Sequence, residues 1–327
     1  MPSGITHILL VKNLQNVLRD GALKMTLASG RDFLQAGAVG PDLPYASIAD
    51  NDFFFTTQSE LADKFHYVQT YGVPLYALNR LRETMGGLTA VQKRYSFCFF
   101  LGYISHIVAD GTIHPFIRDK VGDYGSHQGE HRILEMNLDV LLYHHLTLAS
   151  ASPINLNYSN IHDELINFDT SFYPEAQFVG DLFSDAIQDV YKDRYETGLI
   201  LGWVRGLHRM FSVAEGMHPK IYRIVGFIEN FLFKDYDDLR NRYSNLLILA
   251  RPIDRDVNFA KMPQVHYFDD AIPQFYRRFI PIAEKAYAYL YGGGEPLTER
   301  DIFPIDLDTG RPLAANSNLD IVPTFWS

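Results

Sequence analysis

Apolar residues recur along most of this chain at spacings of three and four, the period of a helix that buries one face. Ile8, Leu9, Val11, Leu14 and Leu18 make such a stripe over 8–20, with Thr6 placed to cap it. Leu23–Gln35 repeats the pattern, and GAVGPDLPY then reads as a loop punctuated by Gly and Pro. Further helices are predicted at 58–69, 73–84, 89–110, 128–148, 176–193, 197–214, 218–233, 236–250 and 270–291. Pro115 is expected to end the 89–110 helix near His114. Alternating strand patterns are scarce, so the fold class is all-α, a single multi-helix domain over 1–295. Within it, 150–250 forms an additional helical region. After Gly292-Gly293-Gly294 the composition shifts to Pro, Asp and Asn, and 296–327 reads as an extended C-terminal arm over the helical body.

Composition narrows the function. The 327 residues are 47% apolar and 14% aromatic, which excludes a disordered chain. A formal charge of −10 with no Lys/Arg run removes the basic footprint of a nucleic-acid binder. The single cysteine, Cys98, sits in the apolar run FCFFLGYI and reads as a buried thiol. No apolar run reaches about 18 residues uninterrupted and no leader pattern opens the chain. A cytoplasmic protein without a membrane span is the expectation.

The chemistry concentrates in 101–135. His106, Asp110 and His114 follow one another at intervals of four, and His127, His131 and Glu135 repeat that interval. Residues four apart share a helix face, so His106 with Asp110, and His131 with Glu135, each present a nitrogen and a carboxylate to one ion. That donor mixture suits zinc and similar divalent ions. One His-x-x-x-Asp pair alone is ordinary core hydrogen bonding. Two such pairs with an intervening His, entered from an apolar helix, bury more polar groups than a core tolerates uncompensated. His127 divides evenly between ligation and a supporting role. His144 and His145 read as structural or surface groups. His162, His208, His218 and His266 lack partners at ligand spacing, and Asp50 and Asp52 read as loop surface.

An ordered set of short motifs over residues 4–140 resembles the zinc-dependent phospholipase C family, whose helical fold is shared with single-strand-specific zinc nucleases. The set comprises SGITHILLV with His7, GAVGPDLPY with Asp42, KFHYVQ with His66, HIVAD followed by HPF, and HRILE. The resemblance implies a cluster of two or three Zn²⁺ ions. By position, Asp42, His66, His106 and Asp110 hold one ion, and His114, His131 and Glu135 a second. His7, the terminal amine and a bridging Asp110 hold a third. Family members present an N-terminal Trp to that ion; here Met1 precedes Pro2, and methionine removal would leave the proline nitrogen as a possible ligand in its place.

The implied activity is hydrolysis of a small-molecule or lipid-like phosphoester by a metal-activated water, with Asp42 as its base. Three alternatives stay open: a zinc nuclease or phosphodiesterase, a Lewis-acid enzyme of specialised metabolism on a non-phosphate substrate, and a non-catalytic protein whose ions staple helices.

Overall fold

The computed structural model describes residues 4–19, 21–49, 58–149, 172–216, 236, 239, 248–249, 265–318 and 320–327. It is all-α. The predicted first helix divides into α1 (Gly4–Lys12) and α2 (Leu14–Val17), and the second into α3 (Ala22–Ser29) and α4 (Arg31–Ala38). Gly30 marks the second division, where a Cβ would lie 2.5 Å from the Cys98 sulfur. The Gly/Pro loop is a 3-10 helix, Gly40–Ala49. Then follow α5 (Ser59–Tyr67), α6 (Gly72–Thr84), α7 (Ala90–Val121), α8 (Tyr124–Ala149), α9 (Glu175–Tyr191), α10 (Thr197–Gly216), α11 (Ile272–Tyr291) and the short α12 (Glu299–Ile302). The predicted helices 218–233 and most of 236–250 lie outside the described residues. Where 236–250 is described, the helical expectation yields at Ile248–Leu249, a two-residue strand pairing antiparallel with Val265–His266.

Helix α7 is the axis of the molecule, packed by α1, α4, α6, α8, α9 and α11. A capping box starts it: the Thr89 hydroxyl accepts the Gln92 N–H at 3.1 Å, and the Gln92 side chain accepts the Thr89 N–H at 3.0 Å. Its length and apolarity match a membrane span, yet its most apolar window is wholly buried in protein. The interior of α7 holds Phe97, Phe99, Phe100, Tyr103 and Ile104 among other fully enclosed side chains.

Pro115 does not end this helix. It lies inside α7, which runs on to Val121. Proline deprives the Gly111 carbonyl of its donor and loosens the turn above it. The C-terminal arm packs on that turn: the Trp326 indole N–H donates to the adjacent Thr112 carbonyl at 2.9 Å, and Ile305, Gly310 and Phe325 close against Gly111. Gly310 adopts φ +66°, and a Cβ there would stand 2.9 Å from the Pro115 ring. Buried on every side, the helix keeps its course through a residue that ends an exposed one.

Helices α4 and α7 cross at backbone contact. A Cβ on Gly37 would run into the Phe99 carbonyl, and one on Gly102 into the Leu34 carbonyl and the Ala38 N–H. Gly102→Ala is expected to lower the unfolding free energy by at least about 1–3 kcal/mol, the range for overpacked cores. Gly86→Ala is the control, since nothing lies within 4 Å of the added methyl. Chemical denaturation of the two variants checks it; equal midpoints would refute the close crossing.

Candidate metal centre

The crossing of α4 and α7 sets the floor of a polar pocket. Because the backbones touch, the Ala38 carbonyl reaches His106 Nδ1 at 2.9 Å. The helix period puts His106, Asp110 and His114 on one face of α7. Around Asp110 gather side chains from separate segments: His7 from α1, Asp42 from the 3-10 helix, His66 from α5 and Glu135 from α8. All are buried, Asp110 at 1% exposure and His106 at 0%.

Asp110 is the centre of the constellation. Its Oδ1 lies 3.2 Å from His7 Nε2 and 3.6 Å from His114 Nε2. Its Oδ2 lies 3.0 Å from His106 Nε2 and 3.7 Å from His66 Nε2. His66 Nε2 is also 3.3 Å from Asp42 Oδ1, and His114 Nε2 is 3.5 Å from Glu135 Oε1. The His7 and His106 rings stack with centroids 4.1 Å apart. In two triads, His7 with Asp42 and His106, and His66 with His106 and Asp110, the ligand atoms all lie within 4.8 Å of one another.

Backbone carbonyls fix the orientation of three imidazoles. His66 Nδ1 meets the Ala62 carbonyl at 2.7 Å, His106 Nδ1 the Ala38 carbonyl, and His114 Nδ1 the Leu307 carbonyl at 2.9 Å. A carbonyl only accepts, so each Nδ1 carries a proton and each Nε2 points into the cluster, where it could ligate an ion. His131 is oriented differently. Its Nε2 lies 2.6 Å from the Gly122 carbonyl, which leaves Nδ1 as its nitrogen for ligation, and its ring stands edge-on to Tyr124 at the margin of the cluster.

Protein alone does not satisfy this site. Both oxygens of Asp42, Asp110 Oδ2, Glu135 Oε2, His114 Nε2 and His7 Nδ1 are buried without an aligned hydrogen-bond partner. Burial raises the Asp110 carboxyl, but His106, His114 and His7 outweigh it and hold the group well below the usual carboxylate range. Against the same burial, His106 and His66 keep Asp42 depressed. Glu135 is pushed well above its ordinary value by burial, with Asp110 adding to the effect. For His106, the carboxylates of Asp110 and Asp42 override burial and lift it to about 9, while burial takes His114 down to about 4. Unmade hydrogen bonds on several enclosed carboxylates cost several kcal/mol. Imidazole nitrogens and carboxylate oxygens converging there fit a divalent cation such as zinc.

Sequence reasoning missed several members of the site. Asp139 continues the interval of four beyond His131 and Glu135, a signal the chain did carry. It accepts the Thr6 N–H at 2.8 Å and the Thr6 hydroxyl at 2.6 Å, so Thr6 is held inside α1 instead of capping it. The Leu307 carbonyl and Tyr267 come from the C-terminal third, where no pattern marked them. A small cavity opens beside Asp110, lined by Thr6, His7, Ile113, His114, Ile117, Glu135, Leu138 and Tyr267. His127 sits at a kink in α8, partly exposed, with Nδ1 3.7 Å from Asp123. His144 stacks on Tyr236, and His145 on Phe268, while His266 pairs with Asp269. Asp50, Asp52, His162, His218 and the terminal amine lie outside the described residues.

A family model described as zinc dependent phospholipase C matches residues 6–192, a stretch that carries His7, Asp42, His66, His106, Asp110, His114, His131 and Glu135. No curated protein and no solved structure matches the chain.

The raised His106 pKa has a measurable consequence. In the metal-free protein this imidazolium contributes stability that is complete below the unfolded value of about 6.5 and is lost as pH rises through about 9. A divalent ion must displace that proton. Zinc uptake near pH 7 is therefore expected to release a proton, with affinity climbing up to about tenfold per pH unit until pH 9 and then levelling. Titration calorimetry in buffers of different ionisation enthalpy reads the proton directly, and zinc binding with none released would contradict the assignment.

Proposed function

The chain belongs to the zinc-dependent phospholipase C family, and from that membership we propose that it is a zinc-dependent hydrolase of phosphate esters, acting on a small or lipid-like substrate. The observation that carries the reading is the buried set of unpartnered carboxylate oxygens and inward-facing Nε2 atoms around Asp110. In this reading Asp42, His66, His106 and Asp110 hold one zinc ion, His114, His131 and Glu135 a second, and His7 with Asp110 contributes to a third. Zinc bound there supplies Lewis acidity and a low pKa for water.

The chain's own residues do the rest. Asp42 stays ionised at neutral pH, and neither of its oxygens receives an aligned donor, so it is available to take the proton of the attacking water. His106 and His114 are locked by backbone carbonyls and cannot swing out of the site. Ile113, Ile117 and Leu138 give the small cavity beside Asp110 an apolar side. A polyanion fits less well with a chain of net charge −10.

Elemental analysis of purified protein tests the centre, and hydrolysis of dihexanoyl phosphatidylcholine beside a single-stranded oligonucleotide tests the substrate. Two or three zinc ions per chain are expected, with fewer in His106→Ala and His114→Ala, and turnover of the phospholipid alone. A folded wild type without zinc would sink the hydrolase reading, and cleavage of only the oligonucleotide would replace it with a nuclease. Asp42→Asn that retains zinc is expected to lose about 100-fold or more in kcat. Full rate in that variant rules out the base role.

A further inference from the structure

Tyr267 lies beyond the residues that the family model matches and has no part in the chemistry above. Its side chain is fully enclosed, and its hydroxyl has no hydrogen-bond partner. Yet it lines the same cavity as His7, Asp110, His114 and Glu135. A buried hydroxyl left unpaired carries a desolvation penalty, and such groups in native proteins call for a partner that arrives later.

No aligned protein partner meets that hydroxyl. Thr6, the neighbouring hydroxyl in the cavity, gives its proton to Asp139 and interacts with Tyr267 without forming an aligned hydrogen bond. The phenol ring packs against Phe116 and Phe268, each with centroids 5.5 Å away. Its backbone starts a tight turn, Tyr267–Ala271, clamped on both sides by His266: the His266 N–H donates to Asp270 at 2.6 Å, and the His266 ring accepts the Asp269 N–H at 3.2 Å. The hydroxyl is therefore held at the cavity without freedom to swing toward bulk water. Burial also pushes the phenol above the ordinary tyrosine range, so it keeps its proton at neutral pH.

The cavity wall contains neither Lys nor Arg. The Nε2 atoms of its imidazoles are directed at Asp110 and Glu135. The Tyr267 hydroxyl adds a neutral O–H donor to that space, one outside the set of groups that would ligate an ion. We propose that Tyr267 is a substrate-contacting residue whose hydroxyl donates a hydrogen bond to a phosphoryl oxygen of the ester held in the cavity. This rests on the phosphoester reading given above.

The test measures binding as well as turnover. Inorganic phosphate is titrated calorimetrically into zinc-loaded wild type and into zinc-loaded Tyr267→Phe, which keeps the ring and removes the donor. Phosphate is expected to bind about tenfold more weakly to the variant. Zinc content and melting temperature should stay unchanged, and kcat/KM on dihexanoyl phosphatidylcholine should fall by a similar factor. Equal phosphate affinity in the two proteins overturns the Tyr267 assignment and leaves the hydrolase reading standing. Loss of zinc or of thermal stability in the variant also overturns it, since the residue then acts by holding the fold. A zinc-loaded wild type that takes up no phosphate overturns the phosphoester reading, and this inference with it. A defect with the phospholipid but not with phosphate shows that the hydroxyl contacts the lipid portion, which refutes the assignment to a phosphoryl oxygen.

Discussion

Everything in this molecule turns on one ionised carboxylate enclosed in protein. Asp110 sits at 1% exposure on a helix whose other buried residues are chiefly apolar, and four imidazole Nε2 atoms approach it within 3.0–3.7 Å. Removing a carboxylate from water is costly, and hydrogen bonds from rings that also need their lone pairs do not offset it fully. The arrangement fits one half of an electrostatic pair whose other half would be a divalent cation such as zinc.

Reaching that point takes backbone contact. Gly37 and Gly102 let α4 and α7 touch, the Ala38 carbonyl thereby meets His106, and the 3-10 helix that follows α4 presents Asp42 beside His66. The same logic acts on the opposite side, where Pro115 leaves a weakened turn in α7 and the arm fills it. In filling it, the arm lays the Leu307 carbonyl against His114 and pairs Asp308 with Arg118. Local backbone irregularities thus fix the two histidines that flank Asp110 on its helix.

Much of this was legible in the sequence, for physical reasons. Helical periodicity is a strong signal, and α5, α6, α9 and α10 fall within a few residues of their predicted spans. The interval of four from His106 to His114 survives because it follows from the geometry of a helix alone. Proline misled because its cost is local, whereas burial and the Trp326 hydrogen bond that outweigh it are not. Thr6 misled similarly: a Thr ahead of an apolar stripe reads as a cap, but its hydroxyl answers to Asp139, far along the chain. Tyr267 and the Leu307 carbonyl had no pattern to announce them, since one is a lone aromatic and the other is backbone.

The docking of the arm on His114 also bears on how the protein matures. The ribosome makes His7, Asp42, His66 and the residues up to Glu135 long before it reaches Leu307. Until that carbonyl arrives, His114 Nδ1 lacks the acceptor that orients its ring in the folded protein. The last contact that orients a histidine of the cluster is thus made by the last part of the chain to be synthesised.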